Sequence, residues 1–157
     1  MTSHPIAPEL TSVTDTSTAV IRGVVPVGEL ANFFDRSFTT LATVAASQNV
    51  AITGPAYALY RGVPTDTADL EVGFPTSEPI DPTDGVEAGS LPAGRVARAI
   101  HQGGYDQLGS SWGQLEQWIR DQGLQPAAPF WEVYVTQPRP DMDPDELRTE
   151  LNWPVTG

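Results

Sequence analysis

From Thr18 the chain reads Thr-Ala-Val-Ile-Arg-Gly-Val-Val and stops at Pro26. β-Branched side chains fit a pleated, half-buried surface, so this run predicts a strand. Pro8 to Val13 is expected to form an earlier part of that strand or its hairpin partner. From Gly28 the period changes: Leu30, Phe33, Phe34, Phe38, Leu41, Val44 and Ala45 recur at three-and-four spacing. That spacing lines one face of a helix, expected to end near Gln48 or Asn49. Tyr57 to Arg61 and Leu70 to Phe74 alternate as two strands bounded by Gly and Pro. Thr76 to Pro92, dense in Pro, Asp, Glu, Gly and Ser, reads as a surface connection. Beyond it the order returns: a strand from Gly94 to His101 and a turn at Gly103-Gly104. A helical stripe of Leu108, Trp112, Leu115 and Ile119 then ends at Gly123. Strands from Glu132 to Thr136 and Arg148 to Trp153 close the chain.

The return is also visible residue by residue. Gly54-Pro55-Ala56-Tyr57-Ala58-Leu59-Tyr60 is answered by Ala128-Pro129-Phe130-Trp131-Glu132-Val133-Tyr134, 74 residues later. The offset reaches 79 between Pro75 and Pro154, so the second copy carries the longer loop. A period this long, present twice, describes a duplicated half-domain rather than a solenoid. Two β-α-β-β halves predict an α+β fold: an antiparallel sheet with two helices about a pseudo-twofold axis. Residues 8–157 are expected to form one domain, with half-repeats at about 8–75 and 92–155, behind a loosely ordered tail of residues 1–7. The crevice between such halves is a natural place for a ligand.

Composition narrows the chemistry. A net charge of −12 argues against direct contact with nucleic acid and favours neutral or cationic partners. The chain has no cysteine, hence no disulfide and no thiol chemistry, which fits a reducing cytoplasm. It has no lysine, and no phosphate-cradling loop. Its two histidines, His4 and His101, are far apart in sequence, so no metal or cofactor is expected. The acidic run Asp141 to Glu146 lacks the glycine turn of a calcium loop and reads as solvated. No apolar run reaches membrane-spanning length and no signal pattern opens the chain, so no membrane partner is expected. Monomer and homodimer are both open.

Several runs carry a family likeness: His101-Gln102-Gly103-Gly104-Tyr105-Asp106-Gln107-Leu108, Trp118-Ile119-Arg120 and Gly123-Leu124-Gln125-Pro126. Trp131-Glu132-Val133-Tyr134-Val135, Glu146-Leu147-Arg148-Thr149-Glu150 and Trp153-Pro154-Val155 continue it. In this order, across Pro8 to Val155, the chain resembles the GyrI-like small-molecule-binding domain, also called the AraC-type effector-binding domain. The resemblance implies a duplicated SHS2-type fold. It also implies one of three activities: effector sensing in transcription regulators, free-standing multidrug or gyrase-inhibitor-like capture, or hydrolysis of cyclopropane-bearing toxins. Two features depart from the family. Nothing before Thr18 is long enough for a helix-turn-helix, so a free-standing domain without its own DNA contacts is expected. Gly103-Gly104-Tyr105 stands where the family turn resembles Gly-Pro-Tyr.

Glu132 draws attention because a carboxylate among bulky apolar residues is costly to bury. Period two puts Trp131, Val133 and Val135 on one side and Glu132, Tyr134 and Thr136 on the other. The resemblance implies that Glu132 forms the floor of a pocket for lipophilic cations. The equivalent Ala58 leaves room opposite it. The alternative is a salt bridge to Arg22, Arg95 or Arg98. Tyr60 and Tyr134 are equivalent and read either as ligand contacts or as core tyrosines with hydroxyls at the rim. Trp112, Phe74 and Trp153 are either core or aromatic walls for a delocalised cation. His101 reads as structural.

These residues support three activities. One is binding of hydrophobic, aromatic or cationic small molecules through Glu132, Tyr134, Tyr60, Trp112, Phe74 and Trp153. Another is hydrolysis of electrophilic toxins, with Glu132 as general base and Tyr134 or Tyr60 as helper. The last is protein interaction through the acidic surface. Binding is the expected activity.

Overall fold

The computed structural model describes residues 7–104, 107–136 and 141–157. Of the expected tail only Ala7 is described. Tyr105 and Asp106 of the family-like run, and residues 137–140, also lie outside the described residues. The chain divides into two compact units: Val13–Gly94, and Arg95–Gly157 joined by the N-terminal segment up to Ser12.

In the unit Val13–Gly94, strand β2 (Thr16–Pro26) lies between β4 (Thr67–Pro75) and β5 (Glu87–Leu91), and β3 (Tyr57–Tyr60) pairs β4. All these pairings are antiparallel. Helix α1 (Leu30–Ser47), entered through a 3-10 turn at Val27–Glu29, packs on β2 and β4 through Phe33, Leu41, Val44 and Ala45. Strand β5, half-buried at most, lies within the expected surface connection from Thr76 to Pro92.

Gly73 in β4 shows how tightly this sheet is built. A Cβ placed there would lie 2.4 Å from the Ala19 carbonyl oxygen and 2.9 Å from Val20. Because a backbone atom sets the closer limit, a strand must shift. Gly73→Ala is expected to cost about 3 kcal/mol, lowering Tm by roughly 10 °C in thermal denaturation.

The same unit buries a carboxylate. Glu71, on β4, is 4% exposed, and its Oε2 takes the Arg22 Nε–H at 3.1 Å and an Arg61 guanidinium N–H at 3.0 Å. Cross-strand pairing of Arg22 with Glu71 makes this possible.

In the unit Arg95–Gly157, strand β6 (Gly94–Gln102) pairs antiparallel with β9 (Arg148–Thr156), and β9 pairs antiparallel with β8 (Phe130–Tyr134). The short β7 (Gln125–Pro126) also pairs with β9. Strand β1 (Glu9–Val13) lies beside β6, so Pro8 to Val13 is neither a continuation of β2 nor its hairpin partner. Helix α2 (Leu108–Asp121) buries Ser111, Leu115 and Ile119. Strand β8 begins at Phe130, ahead of the expected Glu132, and ends at Tyr134 rather than Thr136. Past Tyr134 the chain turns, with the Val135 N–H donating to the Val133 carbonyl.

The sequence repeat recurs in the hydrogen bonding. Helix α1 ends with Asn49 at φ 57°, where Val50 N–H bonds Ala45 O and Asn49 N–H bonds Ala46 O. Helix α2 ends with Gly123 at φ 78°, where Leu124 N–H bonds Ile119 O and Gly123 N–H bonds Arg120 O. Both are Schellman caps with a buried apolar residue after the left-handed position. The register repeats too. Tyr57↔Gly73, Ala58↔Val72 and Tyr60↔Leu70 correspond to Trp131↔Asn152, Glu132↔Leu151 and Tyr134↔Thr149. Likewise Ala19↔Phe74 corresponds to Ala97↔Trp153. The halves therefore share one frame, and their differences mark where each copy has specialised.

Candidate functional site

Residues directly opposite one another in an antiparallel pair share a face. On one face of the β6–β9–β8 sheet this places three rows: Ala97 with Trp153, Ala99 with Leu151 and Glu132, and His101 with Thr149 and Tyr134. Helix α2 covers these rows. Its Trp112 meets Trp153 edge-on at 5.3 Å and Phe130 at 5.0 Å, and Phe130 meets Trp153 at 4.9 Å. The other half repeats the edge-on pair as Phe38 with Phe74 at 5.5 Å.

Glu132 lies within this cluster, 5% exposed. The Trp112 indole N–H donates to Oε1 at 3.1 Å, and the Tyr134 hydroxyl donates to Oε2 at 2.6 Å. Both donors are neutral. Among the described residues no ion pair reaches Glu132, which sets aside the salt-bridge alternative. Arg22 is committed to Glu71 and approaches Glu87. Arg98 stands opposite Asn152 and Trp131, one step out of phase with Glu132. It therefore serves the other face, where it bonds Asn152 at 2.8 Å and Glu150 at 3.4 Å. Arg95 is exposed.

Burial pushes the Glu132 carboxyl above its ordinary range. The bonds from Tyr134 and Trp112, and more weakly the charge of His101, pull it back in part. Hydrogen bonds to a charged acceptor return about 1.5–3 kcal/mol each, against a desolvation cost of several kcal/mol per buried ion. The carboxyl stays raised, so these bonds offset burial only in part, and a positive charge placed beside it would favour the ionised form. Trp112 and Tyr134 are only half-buried, so the acid lies just beneath a partly exposed aromatic rim.

His101 is buried, with Nδ1 2.6 Å from the Ser111 hydroxyl and Nε2 2.9 Å from the Gly104 carbonyl. Since Gly104 can only accept, Nε2 carries a hydrogen there. The histidine thus holds the turn and the start of α2, a structural role.

Glu132, Tyr134, Trp112 and Trp153 therefore come together in one unit. Tyr60 and Phe74 belong to the other, Tyr60 on β3 with 9% exposure and Phe74 against Phe38. Phe130, His101 and Ser111 join the site without having been singled out for it. Phe130 was accessible, because it shares the period-two face of Glu132 and Tyr134. Among the described residues no group of His, Cys, Asp or Glu could hold a metal ion, and no helix is long and apolar enough to cross a membrane.

The model of the GyrI-like small molecule binding domain matches residues 7–156. The chain belongs to that family. Among solved structures, the GyrI-like fold here is similar to the C-terminal domain of EcmrR. The TM-score is 0.85 at 19% identity, covering 96% of this chain and 98% of that one. Against EcmrR in a complex with DNA the TM-score is 0.83 at 20% identity over 94% of this chain, which spans 56% of the EcmrR chain. SAV2435 bound to tetraphenylphosphonium gives 0.65 at 15% identity, covering 97% of this chain and 95% of that one. A hydrolase from Listeria innocua gives 0.66 at 16% identity, covering 95% and 91%. At these identities the likenesses establish the fold. No curated protein sequence matches the chain.

Proposed function

We propose that this GyrI-like domain captures lipophilic, delocalised organic cations against Glu132, as a drug- or effector-binding module. The observation that carries the reading is a buried carboxylate whose two oxygens, among the described residues, meet only neutral donors, inside a cluster of Trp112, Phe130 and Trp153. Cation–π attraction is worth about 2 kcal/mol when desolvated. Strongly hydrated small cations lose more on entering such a site than delocalised ones do. The tetraphenylphosphonium held by SAV2435 is of the favoured kind. Titration with tetraphenylphosphonium is expected to quench tryptophan fluorescence with a saturating 1:1 isotherm, since Trp112 and Trp153 line the site. A flat response up to millimolar concentration would remove the proposal.

A specific observation also favours a second reading. A carboxylate bonded to a tyrosine hydroxyl, with its basicity raised by burial, can take a proton from a water as that water bonds to the electrophilic carbon of a bound substrate, while Tyr134 hydrogen-bonds the atom that receives the electrons of the broken bond. One of the similar structures is of a hydrolase. Incubation with a cyclopropane-bearing electrophile should then give many product equivalents per protein, abolished in Glu132→Gln. Product that stops at one equivalent rules the second reading out.

A further inference from the structure

The duplicated frame permits a comparison within one molecule. Where the half containing Glu132 has His101, Thr149, Trp112 and Glu132, the other half has Gly23, Leu70, Phe38 and Ala58 at matching register or helix positions. Gly23 leaves space for the Phe33 ring, which an added Cβ would meet at 2.8 Å. The buried serine of the helix stripe is present in both copies, as Ser37 and Ser111. Among the described residues only Ser111 has a histidine to bond.

The start of α2 needs such an anchor. Its N-cap residue Gln107 makes no side-chain capping bond, and Gly109, Ser110, Ser111 and Gly113 are weak helix formers in its first turns. A side chain carried on turns this weak takes its position from tertiary contacts. The residue immediately after Ser111 is Trp112, whose N–H must meet Glu132 Oε1.

We propose that His101 and Ser111 are positioning residues for ligand capture: their buried hydrogen bond fixes the first turn of α2 so that Trp112 presents its indole N–H to Glu132. This rests on the cation-binding reading for its ligand, while its structural half can be read without any ligand. His101 is itself held from the far side by the Gly104 carbonyl, so the anchor runs from the β6 turn through imidazole and hydroxyl to the helix. Ser111→Ala deletes one hydroxyl and keeps the helix stripe apolar. Ser111→Thr restores the hydroxyl, and Ser37→Ala removes the equivalent serine from the half that lacks the histidine.

The test has two arms on the full chain. In the first, the Trp112 indole N–H resonance, assigned with Trp112→Phe, is followed by 1H–15N NMR without ligand. Ser111→Ala is expected to move it upfield as the bond to Glu132 loosens. Ser111→Thr is expected to return it, and Ser37→Ala to leave it in place. In the second, tetraphenylphosphonium affinity is expected to fall about fivefold in Ser111→Ala, the scale of one lost hydrogen bond, and to recover in Ser111→Thr. An unmoved Trp112 resonance in Ser111→Ala overturns the proposal, and so does an equal shift in Ser37→Ala. If the wild-type chain binds no tetraphenylphosphonium, the cation reading fails, and the resonance arm still decides whether the clamp exists.

Discussion

Glu132→Gln is expected to weaken tetraphenylphosphonium binding about 30-fold, the equivalent of about 2 kcal/mol. Glutamine keeps the shape of the acid and the number of its polar atoms. Its amide oxygen can accept the Trp112 N–H, and its NH2 can donate to the Tyr134 oxygen, so the site loses charge and little else. Neutralising one member of a desolvated charge pair costs roughly 2–5 kcal/mol. The lower end applies because phenyl groups keep the phosphonium centre at a distance from any carboxylate. Titration calorimetry on both proteins measures the difference. A change below about threefold would mean that the aromatic cluster supplies the affinity and the acid is incidental.

The same substitution should stabilise the ligand-free protein at neutral pH. Glu132 has a folded-state pKa raised by burial, so between its ordinary value and that raised value the folded chain holds a proton that the unfolded chain has lost. Stability attributable to this group therefore falls as pH rises through that window and levels off above it. Below the ordinary carboxylate range both states are protonated and the cost is absent. Glu132→Gln is expected to raise Tm by several degrees at pH 7.5, since about 1 kcal/mol moves Tm by roughly 2–4 °C in a chain of this size. At pH 4 the two proteins should melt nearly together. Cation affinity should run the opposite way, weakening as pH falls through the raised value, because a proton and a cation compete for one carboxylate. A Glu132→Gln protein less stable than wild type at pH 7.5 and equal at pH 4 would reverse the sign of the argument.

The β-α-β-β order and its duplication were legible because each rests on local pattern: period two in the strands, three-and-four in the helices, and a left-handed residue after each helix. The elements that were not legible lack that signal. Strand β5, Glu-Ala-Gly-Ser-Leu, has no β-branched residue. Its Gly89 packs closely, since a Cβ there would lie 3.0 Å from side-chain atoms of Thr18 and Val20. Strand β1 pairs with β6, whose position in the chain is remote, and no local pattern announces such a partner. Within the site, the sharing of one face by Glu132 and Tyr134 followed from alternation. The Trp112 bond depends on how α2 is rotated over the sheet, which periodicity sets only to within a residue or so. Ser111 had a faint signal: a serine within an apolar stripe needs a buried partner, and His101 supplies it.

A buried acid does not by itself make a ligand site, as Glu71 and Glu132 illustrate. Both are about 5% exposed. Glu71 is met by two guanidiniums and completes its own half. Glu132 is met at hydrogen-bond distance by an indole and a phenol, and by a positive charge only more weakly, through His101. A buried charge without a close ionic partner is costly, so an external cation gains more at Glu132 than at Glu71.

The site is expected to select for positive charge and not for aromatic bulk. Tetraphenylphosphonium and tetraphenylborate have nearly the same size and shape and opposite charge. Calorimetric titration of the wild-type chain with each, at pH 8 and matched ionic strength, should show saturable binding of the phosphonium and none of the borate. Comparable affinity for both ions would contradict the account.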